Sequence, residues 1–131
     1  AALFKTTQSD VAIIDSMVMC YFTKNGITLK EIMQMVNPAT GFDYENTKEF
    51  EEVGTRISTL ARLFNTREGF SSKDDVLPKR CTHEPVLSGP AKGHTVDLDP
   101  MKLEYYAIMG WDENGIPKES TLEKLGLSSI L

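Results

Sequence analysis

Cysteine is scarce in this sequence: Cys20 and Cys81 are the only two in 131 residues. They lie too far apart for a metal-ligand pair and are too few for a disulfide framework, so the chain reads as a reducing-compartment, cytoplasmic protein with free thiols. Lysine and arginine form no cluster and the formal net charge is −5. That argues against nucleic acid, whose binding starts with cation–phosphate contacts. Long apolar runs are missing as well. The longest, Val11 to Phe22, contains Asp15 and is too short to cross a bilayer, so no membrane contact is expected. No secretory signal pattern is present. The chain starts at alanine, which hints at a piece of a longer protein.

Helical periodicity dominates what is there. With 40% hydrophobic and 25% charged residues, residues 1–131 have ordinary globular composition and the length of a single domain. Ser9 or Asp10 offers an N-cap for a helix running through Val11 to Phe22, apolar on every side and therefore expected to be buried nearly all round. Asn25-Gly26 ends it. Thr28-Leu29-Lys30-Glu31 has capping-box chemistry and opens a second helix, which Pro38 should stop at Asn37. Asn46 to Glu49 starts a third helix with a seam of Phe50, Val53, Ile57, Leu60 and Phe64, and with Glu52 and Arg56 as a surface pair. Residues 81–98 carry Pro85, Gly89, Pro90 and Gly93 and read as irregular, Thr95 to Leu98 being at most a short strand. Asp99-Pro100 restarts a helix that ends at Gly110, and Ser120 with Glu123 caps a last one ending near Gly126. The expected fold is all-α, a multi-helix domain with a long irregular segment near 81–98.

Residue chemistry alone singles out little. Asp15 is a carboxylate among apolar neighbours, either the polar edge of its helix or a functional acid. Cys20 taken alone reads as a small core hydrophobe. His83 and His94 lack metal-binding spacing. Asp112-Glu113-Asn114-Gly115 has its glycine at the wrong place for a calcium loop, and Gly89 to Gly93 lacks the lysine–hydroxyl ending of a phosphate loop.

Several segments, in order, resemble the C-terminal region of the tungsten-dependent aldehyde:ferredoxin oxidoreductase family. The most specific is Leu63-Phe64-Asn65-Thr66-Arg67-Glu68-Gly69-Phe70, continuing through Lys73-Asp74-Asp75 to Leu77-Pro78-Lys79-Arg80. Asn37 to Gly41, Gly54-Thr55-Arg56-Ile57, Gly89 to Gly93, Tyr105-Tyr106, Gly110 to Pro117 and Leu122 to Leu127 add to it. Asp15-Ser16-Met17-Val18-Met19-Cys20 resembles the family's D-x-x-G-L-C motif.

The resemblance implies a role for each motif position. Asp15 would hydrogen-bond the pterin, the backbone near Met19 would help to hold it, and Cys20 would ligate iron. A carboxylate suits the pterin's N–H donors, and a thiolate suits iron. The cofactors implied are a tungsten bis-pterin (tungstopterin) and a 4Fe–4S cluster. The partners implied are upstream domains of the same polypeptide, ferredoxin and an aldehyde substrate. The remaining cluster ligands would come from upstream, so the isolated piece is expected to carry no cofactor and to be inactive. Val18 stands where the family has glycine, and Met19 where it has leucine. A β-branched residue does not enter the left-handed region cheaply, so a different local path is expected here if the family's glycine takes that conformation. A cofactor-free helical interaction module on the same scaffold is the alternative.

Overall fold

The computed structural model describes residues 1–130. Among the described residues, six α-helices are joined by turns, with short 3-10 turns at Tyr21–Asn25 and Ser128–Ile130. Helix α1 spans Ala2–Ser16, α2 Leu29–Thr40, α3 Thr47–Arg67, α4 Lys79–His83, α5 Leu98–Met109 and α6 Glu119–Leu125. Among the described residues the only β-pairing is an isolated bridge between Trp111 and Pro117. The all-α expectation holds.

Helix α3 is the spine. Its contact with α1 is the most extensive in the molecule, and Gly54 makes it close: a Cβ there would lie 2.2 Å from the Ser9 carbonyl oxygen. Ser9 is therefore a fully buried crossing residue and not an N-cap, and α1 begins seven residues earlier, at Ala2. Ile13 and Ile14 of α1, Ile32, Met33 and Val36 of α2, and Phe50 of α3 form one core cluster. Leu63, Leu122, Leu125 and Leu127 form a second, and Tyr106, Met109 and Trp111 a third.

The α3 seam is only half as expected. Phe50 is buried and Val53 packs beside it, but Leu60 and Phe64 are exposed, while Gly54, Thr59, Arg62 and Leu63 turn inward. The first half of α3 packs on α1 and α2. The second half serves the 110–127 segment on another side, through Leu63 and through Arg62 at Gly115. One stripe cannot describe a helix used on two sides. The expected Glu52–Arg56 pair is also replaced. Glu52 meets Lys124 at 3.2 Å, and Arg56 Nε donates to the Leu125 carbonyl at 2.8 Å, so both tie α3 to α6.

Some of the expected caps and breaks are present and others are not. Thr28 and Glu31 form the expected capping box, and Asn46 Oδ1 accepts from the Glu49 N–H at 3.0 Å. Pro38 does not stop α2, which continues to Thr40 before Gly41 ends it in the left-handed conformation. The proline lies in the last turn, where the carbonyl that loses a donor is at exposed Gln34 and water can serve it. Residues 81–98 are less irregular than expected: α4 reaches His83, and Val86 pairs with Gly93 and His94 by backbone hydrogen bonds of 2.8 and 3.1 Å. Thr95–Leu98 is no strand, because Leu98 is already the first residue of α5, with Asp97 and not Asp99 at the cap position. Helix α6 has no side-chain cap from Ser120. Gly110 and Gly126 end α5 and α6 as expected.

Candidate functional site

Helix α1 stops six residues before Phe22, and the stop shapes the site. The Met19 N–H donates to the Ile14 carbonyl at 3.2 Å, and the Val18 N–H to the Asp15 carbonyl at 3.0 Å. These two bonds define a Schellman cap with Met17 as C-cap and Val18 in the left-handed position. Val18 has φ 55° and is the only non-glycine residue with positive φ among the described residues. The expectation of a different local path because valine replaces glycine is thus wrong. The backbone takes the turn a glycine would favour, and the cap's hydrogen bonds, together with Met19 packing on the Ile13–Ile14 cluster, hold it there. The expectation that α1 is buried all round fails too. Only Ser9, Ile13 and Ile14 are buried, since α1 is covered by α3, in part by α5, and at Ile13 and Ile14 by the shared core cluster, but is open elsewhere.

Beyond the cap the chain turns outward. Asp15, Ser16 and Cys20 are exposed, the Val18 side chain is 95% exposed, and Tyr21 and Phe22 add apolar surface beside them. Ser16 Oγ donates to the Ala12 carbonyl at 2.8 Å, whereas the Asp15 carboxylate takes part in no ion pair among the described residues. Met19 turns its side chain inward against the first core, which leaves its backbone as the part that could face a ligand. Cys81, His83 and His94 are exposed, and no group of three or more potential ligands gathers to hold a metal ion among the described residues.

A second feature carried no sequence signal of its own. Arg62, nearly buried, donates from Nε to the Gly115 carbonyl at 2.7 Å and from Nη1 to Asp75 Oδ1 at 2.9 Å, with Nη2 2.7 Å from Asp75 Oδ2. Its guanidinium also lies over the Trp111 and Tyr106 rings, at 5.4 and 5.8 Å. The Tyr106 hydroxyl donates to Asp75. Burial would raise the Asp75 carboxyl, but the hydrogen bonds from Arg62 and Tyr106 and the Arg62 charge outweigh it, leaving the pKa below the usual carboxylate value. Burial pushes the Tyr105 hydroxyl up to about 12. Asp75 is part of the Lys73–Arg80 run that carries the family resemblance, which by itself gives Asp75 no partner. Only the fold brings it to Arg62.

Arg62, Asp75 and Tyr106 line an open cleft of about 810 Å³, together with other residues of α1, α3 and α5, with Val76 and Leu77, and with Asp15 and Ser16 at the end of α1.

The domain is all-helical and presents an acid without an ion pair and a free thiol at a helix end, beside broad exposed apolar surface. Comparison with known proteins gives its family. The model of the aldehyde ferredoxin oxidoreductase family, domains 2 and 3, matches residues 1–127. The chain is 43% identical to the tungsten-containing aldehyde ferredoxin oxidoreductase of Pyrococcus furiosus over 94% of its own length and 20% of that protein's. Its counterpart from Thermococcus kodakarensis is 41% identical over 92% of this chain and 20% of its own. The WOR-like subunit of an aliphatic sulfonate oxidoreductase from Pyrococcus furiosus is 38% identical over 88% of this chain and 20% of its own length. The chain belongs to the aldehyde ferredoxin oxidoreductase family and spans about a fifth of the length of these relatives. The active-site complex BamBC of benzoyl coenzyme A reductase, solved with 1,5-dienoyl-CoA, shares the fold with TM-score 0.62 at 23% identity, over 79% of this chain and 14% of that one. No helix of the described residues is long and apolar enough to cross a membrane.

Proposed function

We propose that this chain forms one wall of the cofactor site in a tungsten-containing oxidoreductase that converts an aldehyde and water to a carboxylic acid, releasing two electrons and two protons. In this reading Asp15 accepts hydrogen bonds from pterin N–H groups, the backbone at Met19 helps to hold the pterin, and Cys20 is one thiolate ligand of a 4Fe–4S cluster. Bound there, the pterin-held metal would supply the two-electron oxidation, and a cluster with Cys20 as one ligand would supply one-electron chemistry towards ferredoxin.

The observation that carries this reading is the Schellman cap at Val18. It ends α1 so that Asp15 stands on the last turn of the helix and Cys20 follows outside it, both exposed. The donor set fits. An exposed carboxylate with no ion-pair partner can accept a ring N–H and an amino N–H together, and an exposed thiol can release its proton to solvent as its thiolate binds iron. With two cysteines in the sequence, the remaining cluster ligands belong to other parts of the polypeptide. One detail departs from the family's motif: the outward isopropyl group of Val18 occupies space that a glycine would leave empty.

The test is metal analysis of the complete polypeptide containing this chain, expressed anaerobically with tungstate, together with aldehyde-dependent reduction of a viologen dye. Iron and tungsten with dye reduction are expected. A folded polypeptide with neither metal and no dye reduction would overturn the reading in favour of a cofactor-free interaction module.

A further inference from the structure

We infer that the Val18 side chain is an apolar contact for the iron–sulfur cluster, keeping water from its Cys20 corner and slowing the loss of iron. The inference rests on the function proposed above, because it takes Cys20 as a ligand of that cluster.

The backbone is the first argument. Val18 has φ 55°, and every other positive-φ position among the described residues is a glycine. The Schellman cap needs a left-handed residue there but needs no side chain. Glycine meets that need without strain, and a β-branched residue does not. Nothing within this chain offsets the strain, since the Val18 side chain is 95% exposed. Strain of this kind gathers where a ligand is held. The use of the isopropyl group therefore lies outside this chain's own core, in what it touches once the longer polypeptide is complete.

Position is the second argument and says what it touches. Met19 packs its side chain on the first core, while Val18 before it and Cys20 after it are exposed. Both outer side chains thus leave the turn away from the core. Two steps of chain separate their Cα atoms by at most about 7 Å. A group bonded to the Cys20 sulfur has the isopropyl group as a near neighbour. The surface on the other side of Cys20 is apolar too: Tyr21 and Phe22 are exposed, their rings edge-on with centroids 6.0 Å apart. From Val18 to Phe22 no residue is charged.

Chemistry is the third argument. An apolar shell controls how much solvent reaches a metal site. Solvent exposure and hydrogen bonds to the sulfurs set the reduction potential of an iron–sulfur cluster. Water and hydroxyl donors favour the more negative, reduced form, so admitting them raises the potential. Valine supplies bulk and no donor.

Two substitutions in the complete, iron-loaded polypeptide test the contact. Val18→Gly removes the isopropyl group and relieves the cap, so the fold is kept. Val18→Thr keeps the branched shape and adds a hydroxyl donor. Iron release to bathophenanthroline, a ferrous chelator, is followed with time, and the midpoint potential of the cluster is taken from a redox titration monitored by electron paramagnetic resonance. Val18→Gly should release iron about tenfold faster than wild type, the lower end of what changes around a metal site cost. Both variants should titrate at a higher potential, glycine by admitting water and threonine by its hydroxyl. Iron release from Val18→Gly at the wild-type rate, or potentials unchanged in both variants, would each overturn the contact and leave the cluster standing. A folded wild-type polypeptide without iron would defeat the proposed function, and the contact with it.

Discussion

Val18→Gly should stabilise this domain, although it removes three carbon atoms from a helix end. Val18 has φ 55°, a conformation that costs an L-residue about 1–2 kcal/mol relative to right-handed backbone, and branching at Cβ does not relieve that cost. Glycine removes it but gives back about 0.5–1 kcal/mol through the larger entropy of its unfolded state. The Val18 side chain is 95% exposed, so almost no burial is lost with it. The expected net gain is about 1 kcal/mol, a rise in Tm of about 3–5 °C for a chain of this size. Val18→Ala serves as the control, since it keeps a Cβ at positive φ and should recover only a small part of the gain. Urea and thermal unfolding of the 131-residue chain, followed by circular dichroism, measures both variants. Val18→Gly neutral or destabilising, or Val18→Ala gaining as much, would refute the strained cap and the site geometry built on it.

Two further substitutions test the packing around the site. Gly54→Ala should destabilise by about 1–3 kcal/mol in the same urea assay despite alanine's better helix propensity, because its methyl group would meet the Ser9 backbone at 2.2 Å; a stabilised variant would mean that α1 and α3 do not cross there. Asp75→Asn should cost about 2 kcal/mol at neutral pH, discounted from a fully buried pair because Asp75 remains about a third exposed. The Asp75 pKa is lowered in the folded state, so its contribution is present above about pH 4, the ordinary carboxylate value, and is lost as pH falls through the lowered folded value. The gap between wild type and Asp75→Asn should therefore close in acid, and a gap independent of pH would contradict the assigned clasp.

Some chemical signals mark helix ends and others do not: Pro38, Asp99 and Ser120 neither stop nor cap a helix as expected. Thr28 with Glu31, Asn46, Gly110 and Gly126 each act through their own side chain or backbone freedom, and each lies where expected. Signals that depend on which neighbour packs where were misleading. Ser9 looks like a cap because serine accepts N–H bonds, but it is buried against α3, its backbone facing Gly54 and its hydroxyl 3.3 Å from Thr55 Oγ1. Leu60 and Phe64 continued an apolar seam by spacing, yet α3 changes the side it presents to its neighbours halfway along. Asp15 and Cys20 were singled out by motif resemblance, and no periodicity could have placed the helix end between them, since valine gives no left-handed signal. The Arg62–Asp75–Tyr106 clasp joins residues far apart in the chain, and nothing local in their spacing announces it.

The iron-ligand role proposed for Cys20 is open to direct measurement. Electron paramagnetic resonance of the dithionite-reduced complete polypeptide, with iron quantified, should show a 4Fe–4S signal in the wild type. In a Cys20→Ala variant that keeps its fold, that signal should be lost or converted to that of a three-iron cluster. Unchanged iron content and an unchanged spectrum in Cys20→Ala would contradict it.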